Sequence, residues 1–252
     1  PGCKRVDART GIILTKQSFY VNGRSRCESP FTEDDVTRKT QRKEREYQMR
    51  RAAILEEAEK IFSARGYHQV TVAEIAAAAG FSTGFLYRFF EGKQHLYRSL
   101  ISEKLGVLYE TIRAAVGEAS DPIGRIDALV ASQLRFVEEN RDFCRIFVRG
   151  ETDAMSPVRE VIYEDYFRQL ALIERLIKDG VKKGVLRRLP PEEMAGALIH
   201  ILRSVSVHWL LVSSKTSLSA KKDVILDIFL HGVKQAAGAD AEPRRVCRRR
   251  PE

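Results

Sequence analysis

The stretch TVAEIAAAAGFSTGFLYRFF, which begins at Thr71, constrains the fold of this 252-residue chain more than any other. Thr71 and Glu74 have the T-x-x-E spacing of a capping box, which starts a helix. Gly80 follows a run of alanines, where a glycine ends one helix and the small side chains let a second helix approach closely. Ser82 or Thr83 can cap that second helix. The spacing predicts two short helices joined by a glycine turn, which is the helix-turn-helix arrangement that docks on DNA.

Helical periodicity also dominates the sequence on both sides of this stretch. From about Thr40, helix-forming residues are frequent, and apolar side chains recur along one face up to Gly66, which suits a helix end. Downstream, the pattern predicts long helices interrupted by the Asp121-Pro122 break and by a short segment after Asn140. The segment IILTKQSFYV near the N-terminus could form a strand, but it has no evident partner. The fold class is therefore predicted to be all-α.

The net charge of +9 is concentrated at the two ends of the chain. Residues 1–51 contain thirteen basic and seven acidic residues, a balance of +6, whereas residues 52–98 balance to zero. Residues 240–252 add a further +2. A basic arm beside a nucleic-acid module supplies attraction to phosphates that does not depend on sequence. The alternative is a solvated tail that binds nothing specific.

Several classes of protein are disfavoured by what the sequence lacks. No apolar run reaches the roughly 18 to 20 residues that a membrane span needs, so a cytoplasmic protein without a membrane partner is expected. Nucleophile-elbow, P-loop, dinucleotide and HExxH signatures are missing, so neither an enzyme nor a cofactor is expected. The cysteines are too far apart for a zinc site or a disulfide framework, and no metal is expected. They are Cys3, Cys27, Cys144 and Cys247.

Residues 80–96 carry a more specific pattern, G-x-S-x-G-x-L-Y-x-x-F-x-x-K-x-x-L. It resembles the end of the DNA-binding region of TetR/AcrR-family transcriptional regulators, and ILEEAEKIFSARGYHQVTVAEIA is similar to the same family. The matching positions are Gly80, Ser82, Gly84, Leu86, Tyr87, Phe90, Lys93 and Leu96. The resemblance implies a three-helix DNA-binding domain at 41–98 and a larger helical effector-binding and dimerisation domain at 99–238. A poorly structured basic arm at 1–40 and a basic tail at 239–252 would flank them.

The resemblance also implies which side chains meet the bases of DNA. In the family, the helix that begins near Ser82 lies in the major groove, so Thr83, Gly84 and Arg88 fall where base or groove-edge contacts are made. Phe85 stands where a small or hydroxylic residue is common, and it could press against a thymine methyl group. Phe89 replaces a frequent His or Tyr and is expected to pack in the core. The recognised base sequence therefore does not follow from the family.

Phosphate contacts are implied at several positions. Tyr87 and Lys93 match positions that hold phosphates, and Thr71 lies at a helix start, where free amides and the positive dipole end attract an anion. The Thr71 hydroxyl could equally serve only as a cap. Basic residues at the start of the first helix enter or flank the minor groove in family members, although a solvated helix face is the alternative. These residues are Arg42, Lys43, Arg45, Arg50 and Arg51.

The body of such a protein encloses an effector pocket, and its last two long helices pair with those of a second subunit. The candidate lining residues here are Phe136, Phe143, Phe147, Tyr163, Phe167, His200, Arg203 and Trp209. Each aromatic could instead be part of the core. Arg203 interrupts an apolar run and could meet an effector carboxylate or phosphate, a protein acid or solvent. His200 and His208 share a helix face only loosely and have no third metal ligand.

These observations favour a sequence-specific transcriptional regulator that binds a double-stranded DNA operator as a homodimer. It is predicted to be a repressor that an unknown small-molecule effector releases, by binding better to the DNA-incompetent arrangement. One alternative is a ligand-independent DNA-binding or architectural protein. The other is an enzyme that uses the helical pocket, which no sequence signature supports.

Overall fold

A computed structural model describes residues 5–6, 13–14, 33–152, 157–213 and 216–233. Most of the predicted arm at 1–40 and all of the predicted tail at 239–252 lie outside the described residues. The chain divides into two compact units, residues 1–53 and residues 54–252.

The first unit contains two very short strands and the N-terminal part of a long helix. Strand β1, Arg5–Val6, pairs antiparallel with β2, Ile13–Leu14. The sequence had suggested a strand around Ile13 without a partner, and β1 is that partner. Helix α1, Glu33–Arg65, begins earlier than the expected start near Thr40.

The start of α1 at Glu33 was not predicted because the residues before Thr40 carry no recurring apolar side chain. Further along, at residues 44–50, the exposed surface of α1 carries i,i+4 pairs, in which Gln48 donates to Glu44 over 2.7 Å and Arg50 forms an ion pair with Glu46. Such pairs stabilise a helix without a buried face, so hydrophobic periodicity does not reveal them.

The second unit is built from helices, which confirms the all-α prediction. After α1 come α2, Val72–Ala78; α3, Thr83–Leu86; α4, Lys93–Glu118; α5, Pro122–Glu139; α6, Arg141–Thr152; α7, Arg159–Lys182; and α8, Pro191–His208. A π-helical turn, Trp209–Ser213, continues α8, and a 3-10 turn, Ser219–Lys221, leads into α9, Lys222–Val233. The short segment expected after Asn140 is thus the helix α6.

Local chemistry fixes three helix ends where the sequence predicted them. Gly66 and Gly80 have φ angles of 79° and 75°, a left-handed backbone that glycine adopts without a steric penalty, and they follow α1 and α2. The Asp121 carboxylate accepts from the amides of Ile123 and Gly124 over 3.1 and 2.9 Å, which caps α5.

The core runs through the whole second unit. In the helix-turn-helix region the fully buried side chains include Phe62, Ile75 and Leu86. In the body, α5 packs against α4, α7, α8 and α9, and α7 also packs along α8. Because α5 is surrounded in this way, its residues Ile126 and Leu134 are fully buried.

One stretch, Pro191–Val212, is long and apolar enough, by length and composition alone, to cross a membrane. Its inner face belongs to the protein core, where Leu198 and Leu202 are fully buried. The packing of α8 against α5, α7 and α9 accounts for the apolar character of that face.

Candidate DNA-binding surface and effector cavity

The start of α2 is held by a reciprocal capping box, as predicted. The Thr71 amide donates to Glu74 Oε2 over 2.8 Å, and the Glu74 amide donates to Thr71 Oγ1 over 3.2 Å. Arg65 donates to Glu74 Oε1 over 2.6 Å, and this bond, with the Thr71 contacts, lowers the pKa of Glu74 to about 2. The Thr71 hydroxyl also donates to Glu74, so it is engaged in the cap, while its side chain remains on the surface.

The predicted base-contacting residues lie together on and after α3. Ser82 is the N-cap, and its hydroxyl accepts from the Phe85 amide over 3.2 Å. Thr83, Gly84 and Arg88 are exposed. The α-helix ends at Leu86, earlier than the sequence suggested, and the chain continues through bonds such as Phe89 N to Leu86 O of 2.9 Å.

Tyr87 follows α3 directly and stands out from the surface with 52% of its area exposed. Its position directly before exposed Arg88 puts a phenol and a guanidinium next to each other in the chain. The structure therefore places Ser82, Thr83, Gly84, Tyr87 and Arg88 in one short surface segment.

An aromatic row supports this segment from one side. The Phe81 and Phe85 rings stack with centroids 4.8 Å apart, and Phe89 lies 5.2 Å from Phe85. The Arg88 guanidinium is 5.4 Å from the centre of the Phe85 ring. All three phenylalanines are half-buried. Phe81 was not singled out from the sequence, although its position four residues before Phe85 is the signal that could have found it.

Lys93 is anchored to the backbone that leads into α2. Its ammonium donates to the carbonyl oxygens of Tyr67 and Val70, each over 3.0 Å, and lies 4.4 Å from the centre of the Tyr67 ring. An ammonium group has three donors, so these two bonds use most of its capacity. Lys93 thus has a structural task beside the phosphate contact that the resemblance implied.

Arg42, Lys43 and Arg45 lie on α1 in the first unit, where all three are exposed. Arg42 and Arg45 are three residues apart and so share one side of the helix.

The body contains a cavity of about 90 Å³ between α4, α5, α6, α7 and the α8 segment. Leu105 and Leu108 of α4 form one wall, and most of the lining is apolar. Of the predicted pocket residues, Phe136, Phe147 and Arg203 line it, as does Phe143. The arrangement suits a ligand that is largely apolar.

A recess of about 340 Å³ shares Ile162, Tyr166 and Arg203 with the cavity. Tyr163, His200 and Arg159 complete its lining. The recess therefore combines two guanidinium groups with aromatic rings, which suits an anionic group.

The other two predicted pocket residues lie elsewhere. Trp209 is fully buried, but its indole N–H donates to the Thr216 carbonyl over 2.7 Å, and Arg141 stacks on its ring at 4.5 Å. Phe167 is 60% exposed and lines neither space. Neither tryptophan nor phenylalanine carries a sequence signal that distinguishes a pocket wall from other packing.

Polar groups in the cavity wall were missed by sequence reasoning. Asp165 is 4% exposed, and its two carboxylate oxygens accept from Arg168 and Gln169, each over 2.6 Å. Burial raises the pKa of Asp165, against the opposing effect of Arg168. Burial also lowers the pKa of Arg203, whose guanidinium lies 5.6 Å from the centre of the Tyr166 ring.

Helix α6 connects the cavity with the helix-turn-helix region. On one side, its residues Phe143 and Phe147 line the cavity. On the other, Asp142 accepts from the Ser63 hydroxyl over 3.1 Å, and Arg149 donates to the Ser63 carbonyl over 2.8 Å. Ser63 belongs to the last turns of α1, so one helix touches both the cavity and the DNA-binding region.

The fold and these two sites define a class of protein: a helix-turn-helix DNA-binding region joined to a helical body with a cavity. Residues 54–100 match the sequence profile described as bacterial regulatory proteins, tetR family. Residues 119–233 match the profile described as the tetracyclin repressor-like C-terminal domain.

Individual relatives agree with these profiles. The chain is 20% identical over 181 residues to the fatty acid metabolism regulator protein of Bacillus subtilis (strain 168), which covers 71% of this chain and 93% of that protein. It is 26% identical over 161 residues to the HTH-type transcriptional repressor KstR2 of Mycobacterium tuberculosis (strain ATCC 25618 / H37Rv), which covers 64% of this chain and 80% of that one. The structure of the fatty acid degradation regulator FadR from Bacillus halodurans superposes with a TM-score of 0.68 at 25% identity, covering 73% and 95% of the two chains.

The chain belongs to the TetR family of transcriptional regulators. The family and the fold predicted from the sequence are confirmed, and so is the prediction of a ligand-responsive DNA-binding repressor at the level of the family. Members of this family regulate transcription, which is the function expected from the helix-turn-helix.

Proposed function

We propose that this protein represses transcription from an operator and is released by a fatty acyl molecule with an anionic head group. The observation that carries the proposal is that an apolar cavity lies beside a cationic, aromatic recess, with Ile162, Tyr166 and Arg203 lining both. The acyl chain would occupy the cavity and the head group would lie in the recess. Relatives named for fatty acid metabolism and fatty acid degradation support this choice of effector.

The size of the cavity favours an acyl chain of medium length. A volume of about 90 Å³ corresponds to roughly six to nine water-sized positions. A methylene group is similar in size to a water molecule, so a chain of about six to nine carbons would fill the space.

We infer that the surface segment around α3 reads the operator. Thr83, Gly84 and Arg88 would meet base or groove edges, and Tyr87 would hold a phosphate. Ser82 would orient the segment by capping α3. The exposed basic residues of α1, Arg42, Lys43 and Arg45, would add attraction to the DNA backbone.

The protein would bind DNA as a symmetric dimer, in the cytoplasm where its operator lies. The dimer interface would involve the end of the α8 segment and α9, where apolar side chains are exposed. Leu211 and Val212 after α8 are each 72% exposed, and Val224 and Ile228 on α9 are 62% and 63% exposed. Burying these side chains against a second copy removes apolar surface from water. A two-fold dimer would also place two α3 segments about 34–36 Å apart, one turn of DNA.

Release would be transmitted through α6. A chain that occupies the cavity pushes on Phe143 and Phe147, and α6 carries Asp142 and Arg149 at the Ser63 contact. A shift of α6 therefore changes how the last turns of α1 are held. The effector releases DNA only if it binds the shifted arrangement more tightly than the DNA-competent one.

The test begins with selection of genomic DNA fragments that the protein binds. Affinity for a selected duplex is then titrated with octanoyl-coenzyme A, with free coenzyme A and with octanoate. We expect octanoyl-coenzyme A to weaken DNA binding, and free coenzyme A, which has no acyl chain for the cavity, to leave it unchanged. Octanoate tests whether a carboxylate is a sufficient anionic head group. DNA affinity that stays the same with acyl-coenzyme A of any chain length would contradict the proposal.

A pair of variants locates the effector. Phe147→Trp adds volume inside the cavity and should abolish the response while preserving DNA binding. Phe167→Trp makes the same change at an exposed position outside the cavity and should respond like the wild type. Equal responses from the two variants would place the effector elsewhere.

A further inference from the structure

Two polar atoms in the cavity wall have no hydrogen-bond partner among the residues that the structure describes. They are Oε1 of Gln133, on α5, and Oγ of Ser206, on α8. Both residues line the cavity, and Ser206 is only 7% exposed. Buried polar atoms in proteins are almost always paired, so two unpaired atoms on residues that line one cavity point to a partner that enters it.

Neighbouring polar groups do not explain these atoms. The carboxylate of Asp165 already accepts from Arg168 and Gln169. The hydroxyl of Ser132, also on α5, donates to the carbonyl oxygen of Ala128 over 2.7 Å. Asp165, Gln169 and Ser132 are thus engaged with other groups of the protein, whereas the two unpaired atoms of Gln133 and Ser206 are open to a bond from a ligand.

The chemistry of the two atoms limits what that ligand carries. The amide oxygen of Gln133 only accepts a hydrogen bond, whereas the hydroxyl of Ser206 can donate or accept. A ligand hydroxyl donates one bond and accepts others, so it offers both kinds of bond that these atoms can form. A methylene can satisfy neither, and an alkyl chain that displaces cavity water leaves both atoms unpaired.

We propose that the effector is a hydroxyl-bearing fatty acyl molecule, and that Gln133 and Ser206 select it over the plain acyl chain. This inference rests on the proposed function, because it assigns a specificity to the cavity in which the acyl chain would lie. The apolar walls contact the acyl chain, the recess binds the anionic head group, and the two polar atoms form hydrogen bonds with the hydroxyl group.

The experiment compares acyl-coenzyme A molecules of equal chain length that differ by one hydroxyl group, with the hydroxyl placed at successive carbons. The readout is the concentration that releases half of a selected duplex from the protein. At one hydroxyl position we expect release at a concentration lower by about tenfold or more than that of the plain chain, since two otherwise unpaired atoms become satisfied. Direct binding by calorimetry should show the same ratio.

Two cavity variants and one control assign the effect to these residues. With Ser206→Ala or Gln133→Met, the concentrations of plain and hydroxylated chain that release half of the duplex should become nearly equal. The response to the plain chain should be retained or improved. Ser204→Ala changes an exposed serine on the same helix and should keep the preference. Thermal unfolding of each variant checks that it is folded.

The outcomes separate this inference from the proposed function. If the wild type responds equally to plain and hydroxylated chains, the inference is overturned and the proposed function stands. If neither kind of chain binds or releases DNA, the proposed function fails and the inference fails with it. The comparison of ligands on the wild type needs no variant, so a variant that does not fold leaves the inference testable.

Discussion

Replacing Lys93 tests whether the helix-turn-helix depends on a tether between α4 and the backbone before α2. Lys93→Met keeps most of the apolar stem but removes the ammonium that donates to Tyr67 and Val70. Hydrogen bonds from charged donors contribute about 1.5–3 kcal/mol each when buried, and these two are partly exposed and share one donor group. The free energy of unfolding is therefore expected to fall by about 2–3 kcal/mol, including a cation–π contribution of about 0.5–1 kcal/mol.

Thermal unfolding measures this loss directly. A domain of this size loses about 2–4 °C in melting temperature per kcal/mol, so the variant should melt about 5–10 °C lower. Gln94→Met is the matched control, because Gln94 is the exposed next residue of the same helix turn. If Lys93→Met melts at the same temperature as Gln94→Met, the tether does not stabilise the fold.

The salt dependence of DNA binding separates the two roles of Lys93. If its ammonium also contacts a phosphate, Lys93→Met should reduce the slope of log affinity against log salt by about one. If its role is only to position the α2 start, affinity should fall while the slope stays the same. The measurement is made below the melting temperature of the variant, so that both proteins are fully folded.

Three further predictions concern acid stability, phosphate contact and dimerisation. The pKa of Glu74 is lowered from 4.5 to about 2, chiefly by Arg65, so the stabilising contribution of its carboxylate is present above pH 4.5 and is lost as the pH falls towards 2. Glu74→Gln should therefore have a lower melting temperature than the wild type at pH 6. The difference in melting temperature should shrink by pH 3, as parallel thermal scans can measure. Tyr87→Phe should weaken operator binding by about fivefold to tenfold, the contribution of one hydrogen bond, and leave the melting temperature unchanged. If the variant and the wild type have equal affinity in a salt-controlled titration, the Tyr87 hydroxyl does not contact DNA. Ile228→Glu puts a charge on the exposed apolar face of α9 and should give a monomer in sedimentation analysis, whereas an intact dimer would move the interface elsewhere.

The helix-turn-helix could be predicted from the sequence because short-range chemistry defines its ends. Thr71 bonds to Glu74 three residues later, Ser82 bonds to the Phe85 amide, and Gly80 needs a left-handed backbone. Each of these interactions spans only a few residues, so the residue types and their spacing are enough to predict it. The exposed positions of α3 follow once those ends are fixed.

The cavity could be predicted only in part, because its wall is assembled from five helices. Arg203 was noticed since it interrupts an apolar run, and it does line the cavity. Asp165, Gln133 and Ser206 gave no such signal, because a polar residue on an amphipathic helix is normally exposed. Only the packing of α5, α7 and α8 shows that these three face inwards.

Aromatic residues illustrate the same limit. Phe136 and Trp209 look equivalent in the sequence, yet Phe136 lines the cavity while Trp209 is buried against Arg141. Which of them meets empty space depends on how the helices are spaced, and hydrophobic periodicity reports only that both are inside.

The most direct test of the account is a competition between a selected operator duplex and a shuffled duplex of the same composition, at one fixed salt concentration. If the α3 segment reads bases, the wild type should prefer the selected duplex by about a thousandfold or more. Arg88→Ala should lose much of that preference while keeping its melting temperature and most of its affinity for the shuffled duplex. Equal affinity of the wild type for the two duplexes would contradict the claim that this surface recognises an operator.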